Sequence, residues 1–255
     1  MYKNKARIKV YTCLDGGLSH SFNNLNTVIE HLATFNKYKF RLYIIEFGAF
    51  ATEFKNFFDC YPPKNIKIRY APGNDNLDTL IRNKKNRKRV VKINNKNDLT
   101  LNHYIYRAKT TNKFFFKVKK PVINQIRKKT KHINFKNLLA VHYRNTDHKS
   151  NIKKIFSQID SLKFNSIFLA TDHFESVDIF KKKYVKKTFI QLAKLEPIGD
   201  KKNFHFFSGS VDQSTKLFEC LVDLYVCSMA SQNIYSSGSW ARLIPKIKKQ
   251  RILFY

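Results

Sequence analysis

The sequence predicts an α/β protein with parallel sheets, and three observations carry that prediction. Short apolar runs alternate with segments whose apolar residues recur at steps of three and four, the pattern of strands joined by crossover helices. The first of these units passes from strand to helix through a Gly-rich turn, Asp15-Gly-Gly-Leu18. Later runs end in polar clusters, which a parallel sheet gathers along its carboxyl edge, where ligands sit. Two Rossmann-like halves facing a cleft are the most economical arrangement of such units.

In the first half, Ile8-Lys-Val-Tyr11 reads as a strand, and Phe22, Leu25, Val28, Ile29, Leu32, Ala33 and Phe35 mark the buried face of the next helix. Leu42 to Phe47 is the second strand. Phe54, Phe57 and Phe58 suggest a helix that stops before Pro62-Pro63, since proline lacks the main-chain donor a helix needs. Ile66 to Tyr70 predicts a third strand, closed by a turn over Ala71-Pro-Gly-Asn-Asp75.

Between Ile81 and Lys131 the periodicity weakens. Arg82, Lys84, Lys85, Arg87, Lys88 and Arg89 form a basic run, whereas Tyr104-Ile-Tyr106 and Phe114-Phe-Phe116 argue for packed structure. Loops and helices joining the two halves are expected here.

The second half repeats the βα unit. Leu138 to Tyr143, Ile167 to Ala170, Thr188 to Leu192 and Asn233 to Tyr235 read as strands. The helices between them are marked by Ile152, Ile155, Phe156 and Ile159, by Val177, Phe180 and Tyr184, and by Leu217, Leu221, Leu224, Tyr225 and Ser228. Ser236-Ser-Gly-Ser-Trp-Ala-Arg-Leu243 opens a last helix.

The chain of 255 residues carries 49 Lys and Arg against 18 Asp and Glu, a net charge of +31. Such a surface attracts polyanions: nucleic acid, anionic lipid or nucleotide phosphates. Much of the excess is Lys spread over the whole length and reads as a solvated face. A nucleic-acid-binding protein is the alternative from another class, with the run from Arg82 to Arg89 tracking phosphates, but no aromatic interleave of an RNA module accompanies it. Peripheral membrane contact through the basic surface is open as well. Cys13, Cys60, Cys220 and Cys227 lack the spacing of a zinc site or disulfide framework and are expected to be reduced and buried. The N-terminus lacks the apolar core of a signal peptide, and no later run approaches the ~20 apolar residues of a bilayer span. A soluble, cytoplasmic protein is the expectation.

Chemistry is expected where three strands end: His142 to Asp147, Thr171-Asp172, and Ser236 to Ser239. Arg144 offers a bidentate donor suited to phosphate. The Ser-Ser-Gly-Ser segment at a helix start offers hydroxyls and main-chain N–H groups to an anion, or simple capping by Ser237 or Ser239. Asp172 and Asp223 are carboxylates placed for ribose or base edges. No G-x-x-x-x-G-K-[ST], no G-x-G-x-x-G and no Asp-x-Asp pair occurs, so leaving-group charge would fall to Arg144 rather than to a metal.

These segments resemble, in order and spacing, those of the fucosyltransferases of the NodZ, α-1,6-fucosyltransferase and protein O-fucosyltransferase superfamily. Val141-His-Tyr-Arg-Asn-Thr-Asp147 is similar to its H-x-R-x-T-D segment, and Phe168-Leu-Ala-Thr-Asp172 with Phe180-Lys-Lys-Lys-Tyr184 to its second motif. Asp223 through Arg242 resembles the third, and Gly16-Gly-Leu-Ser-His-Ser-Phe-Asn-Asn24 the Gly-rich turn near the family's N-terminus. The resemblance implies a GT-B-like fold: residues 1–130 would form the acceptor-side half with its basic connecting region, and residues 131–255 the nucleotide-sugar-binding half. It implies transfer of fucose from GDP-fucose to a glycan hydroxyl, with inversion and without a metal or other cofactor. Arg144 would be catalytic. The donor would be held by Gly16, Gly17, Asn23, His142, Asp172, Asp223, Ser237, Ser239 and Trp240.

The chain also departs from the pattern. Asn145 stands where many relatives have a second Arg, and the chain is short for the family. Candidates for the base are Asp15, His20 and Glu46, none singled out by its surroundings. A sugar-nucleotide-binding relative that transfers nothing is the third reading.

Overall fold

The structure, a computed structural model, describes residues 7–13, 18–46, 51–72, 99–100, 114–145, 150–193, 212–236 and 238–254. The chain forms two compact units, Met1–Lys119 and Lys120–Tyr255.

The first unit runs β1 (Arg7–Cys13), α1 (Leu18–Thr34), β2 (Lys39–Glu46), α2 (Ala51–Phe57), β3 (Phe58–Cys60), β4 (Ile66–Pro72), β5 (Leu99–Thr100) and β6 (Phe116–Val118). β4, β2, β1 and β5 lie side by side in that order, each pair parallel. α1 buries the apolar stripe that its periodicity predicts, with Phe22, Leu25, Val28, Ile29 and Leu32 all inside. The turn expected over 71–75 differs, because Ala71 and Pro72 still belong to β4. The basic run at 82–89 and the aromatic pair at 104–106 lie outside the described residues.

Phe58 departs from the helical reading, for it opens β3, which pairs antiparallel with β6. The cause is aromatic packing. In this ribbon Phe58 and Phe116 fall on one face, and with Phe22 and Phe54 they form a cluster with ring centroids 4.6 to 5.9 Å apart. Contacts of this kind add about 0.5–1.5 kcal/mol per pair beyond the area they bury. The buried side chain of Asn26 on α1 accepts the Phe115 N–H at 3.0 Å, so the ribbon is also hydrogen-bonded to the helix.

The second unit runs α3 (Lys120–Thr130), a 3₁₀ turn (Phe135–Asn137), β7 (Leu138–Tyr143), α4 (Ile152–Asp160), β8 (Ser166–Thr171), α5 (Phe174–Lys183), β9 (Thr188–Ile190), α6 (Gln213–Met229), β10 (Gln232–Tyr235) and α7 (Trp240–Gln250). α3 packs on α6, with Lys129 Nζ 3.6 Å from the Glu219 carboxylate, and belongs to this second compact unit. The sheet order is β10-β7-β8-β9, all parallel. Covered on both faces, β7 is buried at every position, which is why it reads as an unbroken apolar run. Leu139, Val141, Ile167 and Leu169 pack against Ile155 and Ile159 of α4 and Phe180 of α5.

Helix starts follow local chemistry. The Asn151 side chain accepts the Lys154 N–H at 3.1 Å, and the Asp212 carboxylate accepts the Thr215 N–H at 2.8 Å, each satisfying a main-chain donor that a first helical turn leaves open. β9 stops at Ile190 rather than Leu192, and the Gln191 side-chain amide donates to the Ala193 carbonyl just beyond it. Among the described residues no helix is long and apolar enough to cross a membrane.

The connections reverse direction at one place. β7, β8 and β9 follow one another outward, whereas β10 returns to the other flank of β7. The crevice of an open α/β sheet therefore falls beyond the carboxyl ends of β7 and β10.

Candidate functional site

At that crevice the chain leaves β7 through His142, Tyr143 and Arg144, and leaves β10 through Ser236. The two exits are hydrogen-bonded: Ser236 N–H donates to the His142 carbonyl at 2.8 Å, and Arg144 N–H donates to Ser236 Oγ at 2.9 Å. β8 contributes Asp172, whose Oδ1 accepts the Asn145 N–H at 2.9 Å while Oδ2 stands 3.8 Å from Arg144 Nε. Ser150 Oγ donates to the Arg144 carbonyl at 2.5 Å. The backbone of Arg144 is thus held at both its N–H and its carbonyl, and its Nε faces the Asp172 carboxylate.

His142 is 9% exposed, and its ring stacks on the Trp240 indole with centroids 4.8 Å and planes 14° apart. Burial, with the Arg144 charge as the smaller contribution, lowers its pKa to about 3. The imidazole is neutral at physiological pH, with one ring nitrogen a donor and the other an acceptor. Ser236 Oγ lies 3.5 Å from Nδ1.

His142, Arg144, Asp172 and Trp240 line one cavity of about 60 Å³ together with Lys216, Glu219, Cys220 and Asp223 of α6. These α6 positions follow helical steps of three and four, so a polar stripe of the helix faces the crevice while Leu217, Leu221 and Leu224 face the core. Lys216 is only 2% exposed, so this cation reaches the cavity almost wholly shielded from solvent. Asp223 Oδ1 is buried without a hydrogen-bond partner among the described residues. Burial first, then the neighbouring Glu219 carboxylate, push the Asp223 acid well above the usual carboxylate range. A protonated carboxyl there can both donate and accept. Burial also pushes the Cys220 thiol up, which keeps it a thiol rather than a nucleophilic thiolate.

Of the residues singled out in the sequence, the cavity gathers His142, Arg144, Asp172, Asp223 and Trp240. Ser239 does not line it. Its carbonyl accepts the Arg242 and Leu243 N–H groups at the start of α7, and its hydroxyl makes no capping bond. Gly238, just before it, has φ +131°, a conformation that favours glycine. Asn23 sits on α1 in the first unit, where its carbonyl accepts Thr27 Oγ1 at 2.8 Å. Gly16, Gly17, Ser237 and Asp15 lie outside the described residues, as do the side chains of His20 and Glu46. Cys227 is buried, and Cys60 and Cys220 are half-buried as whole residues although their thiol groups are withdrawn from solvent.

Sequence reasoning missed Lys216 and Glu219. The signal for both was the stripe Lys216, Glu219, Cys220, Asp223 on a helix otherwise judged by its leucines. Among the described residues no three His, Cys, Asp or Glu side chains stand close enough together to hold a metal ion.

No protein-family model matches the sequence, and no curated protein matches it by sequence. Solved structures do match by fold. The NodZ alpha-1,6-fucosyltransferase soaked with GDP-fucose superposes with a TM-score of 0.58 and 10% identity, over 93% of this chain and 91% of that one. NodZ from Bradyrhizobium in its selenomethionine form gives 0.54 and 11%, over the same 93% and 91%. POFUT1 in complex with GDP gives 0.53 and 9%, over 95% of this chain and 94% of that one. At such identity the likeness is one of fold, and the chain has the GT-B-like α/β fold of the NodZ and POFUT1 fucosyltransferases.

Proposed function

We propose that this protein is a glycosyltransferase whose donor is a nucleoside diphosphate sugar, GDP-fucose, and whose acceptor is a glycan hydroxyl. The observation that carries the reading is the meeting of Arg144 with the buried Lys216 at the carboxyl edge where the strand order reverses. Two cations in a poorly solvated recess form a diphosphate site, because charge-assisted hydrogen bonds are strong there and water does not screen them. The fold supports the choice of donor, since the matching structures include a NodZ soaked with GDP-fucose and a POFUT1 in complex with GDP.

The recess of about 60 Å³ is far smaller than the roughly 300 Å³ of a whole nucleotide pocket, so it takes the phosphate end. Base and ribose then lie along the open edge. Asp172, beside Arg144, serves the ribose hydroxyls, while Asp223, which the resemblance assigns to the nucleoside, stands inside the recess where its protonated carboxyl can donate to a phosphate oxygen. Neutral His142 hydrogen-bonds a phosphate oxygen, and Trp240 fixes its ring plane. Lys216 supplies the second positive charge that Asn145 does not. Gly16, Gly17, Asn23, Ser237 and Ser239 are assigned to the donor on the resemblance alone, and the first unit to the acceptor.

In the reaction an acceptor oxygen bonds to the anomeric carbon as the bond from that carbon to the diphosphate oxygen breaks, with inversion. The bonding pair leaves with GDP, where Arg144 and Lys216 neutralise it, and the acceptor proton passes to solvent or a base. No cofactor enters this scheme, and the two cations take the role a divalent ion plays in metal-dependent transferases.

The test is release of GDP from GDP-fucose with pooled glycans as acceptors and EDTA present, with GDP-mannose and UDP-galactose as controls. Turnover specific for GDP-fucose that falls by about 10²–10³-fold in Arg144→Ala supports the reading. GDP binding without turnover on any acceptor favours the idle sugar-nucleotide-binding relative.

A further inference from the structure

The edge of the second sheet opposite the crevice has a different character. Its loops are knit across the strand starts: Ser231 N–H donates to the Phe135 carbonyl at 3.1 Å, Asn165 N–H to the Asn137 carbonyl at 3.4 Å, and Thr188 N–H to the Asn165 carbonyl at 3.2 Å. Gln232 Nε2 also donates to the Lys163 carbonyl at 3.1 Å. These bonds hold residues 135–137, 160–165 and 183–188 as one continuous rim.

Two apolar side chains stand out from that rim, Val185 at 78% exposure and Leu162 at 37%. Between them runs a groove of about 360 Å³ floored by Ile159, Phe164 and Tyr184. Lys183, Lys186 and Lys187 line it, Lys136 and Lys163 stand elsewhere on the same rim, and the one acidic residue in the three rim segments is Asp160. That carboxylate is already engaged, 3.0 Å from Lys183 Nζ and accepting the Tyr184 hydroxyl at 3.0 Å. Lys187 Nζ donates to the Phe164 carbonyl at 2.7 Å and lies 4.8 Å from that ring's centroid, and Lys183 Nζ lies 5.1 Å from the Phe156 centroid, so these two ammonium groups are held against the rim, while Lys136, Lys163 and Lys186 are exposed along it.

From this arrangement we infer that the rim is a docking surface for an anionic lipid bilayer. Leu162 and Val185 enter the interfacial layer, the groove takes a phosphate headgroup, and the surrounding lysines face the negative surface potential. Nucleic acid would use the lysines but gains nothing from exposed Val185 and Leu162 at the centre of the patch. Membrane docking of this edge leaves the Arg144 crevice, at the other end of the same strands, facing away from the bilayer. The inference stands on the rim alone and does not depend on the donor assigned to the crevice.

The experiment is partition of the full chain into vesicles containing phosphatidylserine, against vesicles of phosphatidylcholine alone. Three variants are compared with the wild type after their melting curves confirm folding. Lys136→Gln/Lys163→Gln/Lys186→Gln should lose affinity by on the order of 100-fold. Leu162→Ser/Val185→Ser should lose on the order of 10-fold. Lys64→Gln/Lys67→Gln/Arg69→Gln, which removes three exposed cations of the first unit, should stay within about 3-fold, the share of diffuse net charge. The inference is overturned if the control triple variant loses as much as the rim variant, or if the Ser variant binds as tightly as the wild type. It is also overturned if the rim lysines prove to serve a short RNA duplex while vesicle binding is unaffected by their loss.

Discussion

The imidazole of His142 lies flat on the indole of Trp240, ring centroids 4.8 Å apart, and this stack seals one wall of the Arg144 recess. The sealed wall keeps His142 neutral. In Trp240→Ala water reaches the ring, the desolvation that lowers the pKa is relieved, and the value moves from about 3 toward the ordinary 6.5. NMR titration of the His142 ring protons reads this directly, and an unchanged low value would remove Trp240 as its cause.

The same lowered pKa sets a pH dependence of stability. The unfolded chain protonates this His near 6.5 and the folded chain only near 3, so the unfolded state binds more protons between those values. Stability from this group is full above about pH 6.5 and is lost as pH falls toward 3. Urea unfolding between pH 8 and 4 should show a smaller loss in His142→Gln than in the wild type.

Asp223 works with the opposite sign. Its folded pKa is raised, so the folded state holds the proton more tightly and this residue costs stability as pH rises above the unfolded value near 4. Asp223→Asn, which has the shape of the protonated acid, should raise the melting temperature at pH 7. The gain should vanish below pH ~4. A variant less stable than the wild type at pH 7 would mean that the carboxylate form is the folded one.

Ser236 ties the two strand exits together, accepting the Arg144 N–H and donating its own N–H to the His142 carbonyl. Ser236→Ala leaves the part-buried Arg144 N–H without its acceptor, at a cost of about 1–3 kcal/mol. GDP affinity should fall with it, since the guanidinium is aimed by that backbone. Calorimetry on Ser236→Ala and Ser236→Thr separates the hydroxyl from the side-chain volume.

In the first unit the cluster around Phe116 has a comparable role for stability. Phe116 is 1% exposed among Phe22, Phe54 and Phe58, and truncation to Ala should cost about 3–5 kcal/mol by denaturant unfolding. A cost below about 1 kcal/mol would mean that β6 is not packed on α1 and α2.

What was legible in the sequence follows from which signals are local. β7 and β8 are buried on both faces and read as unbroken apolar runs. The register that puts Arg144, Asp172 and Ser236 on one edge then follows from parallel pairing. β5 is two residues, Leu99–Thr100, and takes its strand state from its neighbour β1, which no local pattern encodes. Phe58 carries helical spacing from Phe54, and only the distant Phe116 turns it into a strand. In the site, Arg144 is marked by its place after a strand. Lys216 is hidden in a helix whose leucines account for the periodicity, and it becomes visible only when the polar stripe to Asp223 is read as a face in its own right.

The central claim is that Arg144, with Lys216, forms the diphosphate end of a donor site that needs no metal. Isothermal titration of GDP into the wild type, Arg144→Ala and Lys216→Gln, with EDTA throughout, tests it most directly. The account predicts metal-free binding that weakens by on the order of 100-fold in Arg144→Ala and about 10-fold in Lys216→Gln, with UDP bound more weakly than GDP. No heat of binding from GDP in the wild type, or equal affinity in wild type and Arg144→Ala, would contradict it.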